Sequence, residues 1–181
     1  MRDYSIELDK GAIITETFLE SRRREFEEMW EFFSAYPDLF LDLIAPVNGI
    51  ELYFFQRIYL RACMRFSYFY ITAGRGTSKT FLAVIALYLR CVFQPGTKQF
   101  ICAPGKGQGI SIAAEKIQEL WEKYPLLEKE IIRKHMSGSD VHLWFKNGSE
   151  FSIVAALDSQ RGGRRHGGLI DEVRRRCGCA L

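Results

Sequence analysis

An α/β domain, its mostly parallel sheet flanked by helices and preceded by a helical segment, is the fold class this sequence predicts. Three observations carry the prediction. Strand-like apolar runs alternate along the chain with stretches of helical periodicity. The aromatic and β-branched run Tyr68-Phe69-Tyr70-Ile71-Thr72 breaks into small and polar residues, Gly74 to Thr80, and then resumes as helix formers, among them Leu82, Ala83, Ala86, Leu87 and Leu89. The 181 residues are 48% hydrophobic and 14% aromatic, enough for one domain with a packed core.

Taken in order, residues 1–15 read as irregular. Thr15 to Tyr36 places Phe18, Leu19, Phe26, Met29, Trp30 and Phe33 among charges at helical spacing, and Pro37 stops the pattern. A loop with Pro46 and Gly49 follows. "IELYFFQRIYLRACMRF" reads as an apolar helix with Arg57, Arg61 and Arg65 four residues apart on one stripe. Tyr68–Thr72 reads as a buried strand, and the helix after the glycine loop ends at the Pro95-Gly96 turn. "KQFICA" is a second strand, closed by Pro104-Gly105. Ile110, Ala113, Ala114, Ile117, Leu120, Trp121 and Tyr124 make a helix, and a further short helix is expected through Ile131-Ile132. "VHLWFKNGSEFSIVAAL" alternates on both sides of Asn147-Gly148, a strong hairpin signal. A glycine- and arginine-rich loop, Ser159 to Gly168, leads into the strand "LIDEV". The expected organisation is a helical lead-in at 1–47, a core at 48–173 and an irregular tail at 174–181.

The formal net charge of +3 indicates no particular partner. Five cysteines at 63, 91, 102, 177 and 179 form no CxxC pair, and three sit in apolar runs, which predicts reduced, buried thiols. There is no signal-peptide pattern, and the longest apolar stretch, Phe81 to Leu89, is too short to span a bilayer. The expectation is a soluble intracellular protein with no membrane partner.

Chemistry concentrates at two places. A strand, a glycine-rich loop and a helix in succession form a phosphate cradle, because a helix start offers N–H donors and a positive dipole end. Lys79 could reach terminal phosphates and the Thr80 hydroxyl could hold Mg²⁺. The strict pattern GxxxxGK[ST] is broken by Ala73 and Ser78, while Gly74 and Gly76 add glycines elsewhere. The second place is "GGLIDEV", a strand that ends in Asp171 and Glu172. Asp171 would hold the magnesium, and Glu172 would orient or deprotonate the attacking water. His135 and His142, seven residues apart, have no carboxylate or cysteine at ligand spacing. The arginines at 22–24 read as a solvated helix face. Those at 57, 61 and 65 read as an exposed stripe or a DNA contact, and those at 161, 164 and 165 with His166 as an anion-binding loop.

"AGRGTSKT" followed by "LIDE" resembles the ATPase domain of the large terminase subunit of tailed bacteriophages, over roughly residues 48–172. The resemblance implies a P-loop NTPase that uses ATP and Mg²⁺ to drive double-stranded DNA into a procapsid in the host cytoplasm. Its implied partners are the DNA, a portal protein, a small terminase subunit and further copies of itself in a homo-oligomeric ring. Arg75 matches the arginine of the family's deviant loop, so that Ala73, Gly74, Arg75, Gly76, Thr77, Ser78, Lys79 and Thr80 together form the nucleotide loop. Gln56 matches the upstream glutamine that recognises adenine. "SQRGGR" is similar to the segment that supplies an arginine finger, here Arg161 or Arg164. The ten residues after Asp171 (181 − 171) lack apolar patterning. They predict a motor truncated after its acidic strand, with weak ATPase activity and no nuclease. A helicase-like ATPase and a non-catalytic nucleotide- or DNA-binding remnant are the alternatives.

Overall fold

The protein is described by a computed structural model covering residues 16–46, 51–72, 74, 76–103, 108–137, 140–155 and 165–170. Its elements are α1 (Glu16–Ala35), α2 (Pro37–Ile44), α3 (Phe54–Arg65), α4 (Lys79–Phe93), β1 (Lys98–Ala103), α5 (Gln108–Lys123), α6 (Pro125–Glu128), β2 (Ile131–Met136), β3 (Val141–Phe145), β4 (Glu150–Ala155) and β5 (Gly167–Ile170). Two units are distinguishable, 1–32 and 33–181. In the first, Phe26 stacks on Trp30 at 5.7 Å, and Arg22 pairs with Glu25 on a solvated face. Among the described residues no helix is long and apolar enough to cross a membrane.

In the second unit α4 is the central element. Twelve of its fifteen residues are buried, and a helix apolar on all sides belongs in the middle of a core. It packs against β1, β4 and β5 on one hand and against α3 and α5 on the other. Tyr88, fully buried, donates its hydroxyl to the Leu127 carbonyl at 2.8 Å and accepts from the Trp121 indole N–H at 3.2 Å. Three helices are thereby tied by one polar group. On the sheet side, Ile101, Val141, Leu143, Phe145, Phe151 and Ile153 alternate inward from β1, β3 and β4.

The strand order is β2-β3-β4-β1-β5. β1 runs parallel to both β4 and β5, whereas β2–β3 and β3–β4 are antiparallel. This corrects the predicted fold class: the sheet is mixed, and it is not the mostly parallel sheet of a P-loop NTPase. Two misread segments account for the difference. Ile131-Ile132 opens a strand, β2, where a short helix was expected; the helix lies earlier, at Pro125–Glu128. Arg133 lies over the Trp144 ring of β3 at 4.9 Å and Lys134 over the Trp121 ring of α5 at 4.9 Å, so contacts with the neighbouring strand and helix outweigh the local pattern. Conversely, Tyr68–Thr72 forms no strand: Tyr68 lies in a bend, and Tyr68 and Tyr70 are 95% and 87% exposed. Arg90 of α4 donates to the carbonyls of Cys63 and Phe66 at 2.5 and 3.3 Å, which fixes where this segment leaves α3.

The Asn147-Gly148 hairpin forms as expected, by a route of its own. Phe145 accepts from Gly148 N–H at 3.1 Å, its N–H donates to Ser149 O at 3.0 Å, and only Gly148 is left-handed, at φ 80°. This is a three-residue loop with the glycine in the position that closes it. Asn147 is thereby released for another task. Its Nδ2 donates to the Cys91 and Val92 carbonyls at 2.7 and 2.9 Å, and Ser149 Oγ donates to Gln94 O at 2.9 Å. The C-terminal carbonyls of α4, which a helix cannot satisfy internally, are capped by the hairpin turn. At the far side, β5 can approach β1 only through glycine, because a Cβ on Gly168 would collide with the Phe100 ring.

Candidate functional site

The glycine-rich loop is built where the sequence placed it. Gly74 O accepts from Thr77 Oγ1 at 2.9 Å and from Lys79 Nζ at 3.2 Å, so the lysine folds back over its own loop. Gly76 is left-handed at φ 83°, and Ser78, the N-cap of α4, is left-handed at φ 55°, ψ 29°. The Ser78 side chain makes no capping bond, which leaves the opening turn of α4 to other acceptors. Ser78 stands where the strict motif has glycine, and its backbone adopts the conformation that glycine would take without cost. Non-glycine residues lose roughly 1–2 kcal/mol in this region. Ser78→Gly is therefore expected to raise the midpoint of thermal unfolding slightly, by about 1 kcal/mol of stability at most. A lowered midpoint would show that the serine hydroxyl holds the turn.

Two cavities adjoin the loop. The larger, about 390 Å³, lies between Phe66–Thr72, the α4 face bearing Lys79, Thr80 and Ala83, and the β5 residues Gly168 and Leu169. The strand that runs into Asp171 and the first turn of α4 thus share one wall. Cys63 also lines this cavity. Burial pushes its thiol up to about 11, against the opposing pull of a Tyr59 hydrogen bond and the Arg90 charge, so it stands as a neutral thiol. The smaller cavity, about 230 Å³, is bounded by Phe55, Ile58 and Phe69 together with Thr77, Lys79 and Leu82.

Of the sequence-predicted site residues, Gly74, Gly76, Thr77, Ser78, Lys79 and Thr80 lie together in this loop and first turn. Ala73, Arg75, Arg161, Arg164, Asp171 and Glu172 lie outside the described residues. Gln56 is buried in the first turn of α3, where its Oε1 accepts from Tyr53 N–H at 2.9 Å, and it lines neither cavity.

The arginine stripe has a structural employer. Arg61 grips Asp38 of α2 through two bonds, Nε to Oδ1 at 2.8 Å and Nη2 to Oδ2 at 2.7 Å. Arg57 reaches Asp42 at 2.5 and 3.1 Å and Asp38 at 3.4 Å. The signal in the sequence was Asp38 and Asp42, four apart on one helix, matched to Arg57 and Arg61, four apart on the next. Arg165 lies over the Phe100 ring at 4.5 Å. His166 extends the β1–β5 edge, its Nδ1 accepting from Lys98 N–H at 3.0 Å. His135 and His142, opposite one another on β2 and β3, each face Asp140 at 3.6 Å. The described residues include no group of three or more His, Cys, Asp or Glu able to hold a metal ion. No protein-family model matches this chain, and no curated protein matches it.

Proposed function

We propose that the chain binds Mg·ATP on the Gly74–Thr80 loop and is the ATP-hydrolysing part of a DNA-packaging motor resembling the terminase large subunit. The observation that carries the reading is the folded-back lysine at the start of a fifteen-residue helix whose N-cap, Ser78, is left-handed and makes no side-chain capping bond. A lysine and helix-start N–H donors converging on one loop form an anion site. The residues fit the group: Thr80 stands in the first turn of α4, and Lys79 and Thr80 share a cavity wall with Gly168 and Leu169, which run toward Asp171 in the sequence. Magnesium, when bound, would offset charge on the terminal phosphates, with Thr80 and Asp171 as its protein ligands. Lys79 would exchange the Gly74 carbonyl for a phosphate oxygen. Glu172 would position or deprotonate water, while Arg75 and Arg161 would offset charge developing on the transferred phosphoryl group. Double-stranded DNA, a portal, a small terminase subunit and a ring of like subunits in the host cytoplasm complete the proposal.

Lys79→Ala is expected to weaken ATP binding by at least tenfold and up to about a hundredfold, the loss of a charge-assisted contact of about 1.5–3 kcal/mol. Titration calorimetry in magnesium buffer checks it. Unchanged affinity in this variant would remove the phosphate-loop assignment. In the intact protein, phosphate release stimulated by double-stranded DNA supports the motor reading, and DNA-independent binding without turnover opposes it.

A further inference from the structure

We infer that the apolar recess walled by Phe55, Ile58 and Phe69 receives the base of the bound nucleotide, and holds it by stacking without reading its polar edge. The inference rests on the phosphate-loop reading and adds a base subsite of low selectivity to it. Position is the first argument. Thr77 and Lys79 of the loop line this recess, so a nucleotide with its phosphates at Lys79 has its base within reach of it.

Size and chemistry are the second. At about 230 Å³ the recess is below the ~300–1,000 Å³ typical of pockets that enclose a whole drug-sized ligand, which suits a fragment such as a purine. Six of its eight lining residues are aliphatic or aromatic. Phe55, Ile58 and Phe69 are 50%, 52% and 45% exposed, an apolar surface that a stacked base would take out of water. Phe69 is presented in a defined orientation, since Tyr59 meets it edge to face at 5.9 Å and 79°.

Selectivity follows from where the polar groups of the wall already point. The Thr77 hydroxyl and the Lys79 ammonium are both on the Gly74 carbonyl, and the Tyr59 hydroxyl is engaged with the Cys63 thiol. Gln56, the side chain with the donor and acceptor needed to read adenine, is outside the wall, and its Oε1 is engaged at the start of α3. A recess of this kind discriminates weakly, because specificity requires buried polar groups that a wrong base would leave unpaired. The expected ligands are purine nucleoside triphosphates as a class.

The test compares ATP, GTP and inorganic tripolyphosphate by calorimetry on the full chain, in wild type, Phe69→Ala, Phe55→Ala and Lys79→Ala. The expected result is that both nucleotides bind about tenfold or more tighter than tripolyphosphate, the size of a base–aromatic stack. ATP and GTP should lie within about threefold of each other, as an edge-blind site requires. Phe69→Ala and Phe55→Ala should bring both nucleotides toward the tripolyphosphate affinity while tripolyphosphate itself binds unchanged. Phe55 is half exposed, so its variant keeps the test alive if Phe69→Ala does not fold, which circular dichroism reports. Nucleotides binding no tighter than tripolyphosphate, or ATP preferred over GTP by tenfold or more, would overturn the inference and leave the phosphate loop standing. Tripolyphosphate binding that is absent, or indifferent to Lys79→Ala, would overturn both.

Discussion

Asp38→Ala is expected to destabilise the protein by about 3 kcal/mol, near the lower end of the 3–5 kcal/mol typical of breaking a buried ion pair. The Asp38 side chain is fully buried, while those of Arg57 and Arg61 are 25% and 42% exposed. Removing the carboxylate therefore takes their shared buried partner from two guanidinium groups that regain only part of their hydration. Arg57 would keep Asp42 and the Leu52 carbonyl; Arg61 would keep the Tyr36 ring at 4.9 Å. At this chain length the loss corresponds to a fall in melting midpoint of roughly 6–12 °C. Asp42→Ala is the control: the carboxylate is 40% exposed, and its loss should cost about 1 kcal/mol or less. Equal effects from the two variants would show that burial does not set the strength of the clamp.

The same pair gives a pH dependence. Burial alone would raise the Asp38 pKa, but the bonds and charge of Arg61, its own backbone N–H and Arg57 outweigh it, leaving the carboxyl below its ordinary value. A depressed carboxyl pKa contributes stability that is fully present above the unfolded value, near 3.9, and is lost as pH falls below that toward the folded value. Wild type should thus lose stability on acidification below about pH 4 more steeply than Asp38→Ala.

Tyr88→Ala should be as damaging, at about 3–5 kcal/mol, because it empties a fully buried aromatic site. The ring packs edge to face on Phe145 at 4.9 Å and lies 6.4 Å from Phe151, so the cavity would open between α4 and the sheet. Tyr88→Phe separates the ring from the hydroxyl. It keeps the volume but leaves the Leu127 carbonyl and the Trp121 N–H without their partner, at about 1–3 kcal/mol. Denaturant unfolding of both variants checks the split. A phenylalanine variant as stable as wild type would mean that water replaces the hydroxyl.

What could be read from the chain in advance follows the range of the signals. α1 and α5 came from apolar spacing, α4 from its run of helix-forming residues, and the β3–β4 hairpin from turn chemistry, all within a few residues. Tyr68–Thr72 failed because aromatic and β-branched content describes a surface to be covered and says nothing of an available strand partner. Ile131–Met136 failed for the complementary reason: its partners, Trp144 and Trp121, lie ten or more positions away along the chain. The same split divides the site. Gly74 to Thr80 is one local run and was legible as a loop. The recess beside it is assembled from residues 55–59, 69–71 and 77–82, three segments whose meeting no spacing announces. Gln56 illustrates a further limit, since its Oε1 accepts from the N–H of Tyr53, three positions earlier, a bond that the upstream-glutamine reading passed over.

The bond from Asn147 to the end of α4 bears on how the molecule comes apart. It spans 56 positions to Cys91 and 55 to Val92. Helices form locally and fast, whereas a contact at that separation waits on closure of the intervening chain. The last turn of α4 is therefore a non-local structure inside a local one: its carbonyls are satisfied only after the β3–β4 hairpin has docked. Fraying from that end cannot proceed independently of the sheet. Helix terminus and hairpin are therefore expected to exchange their amide protons as one cooperative unit, which hydrogen-exchange measurements on the two segments would check.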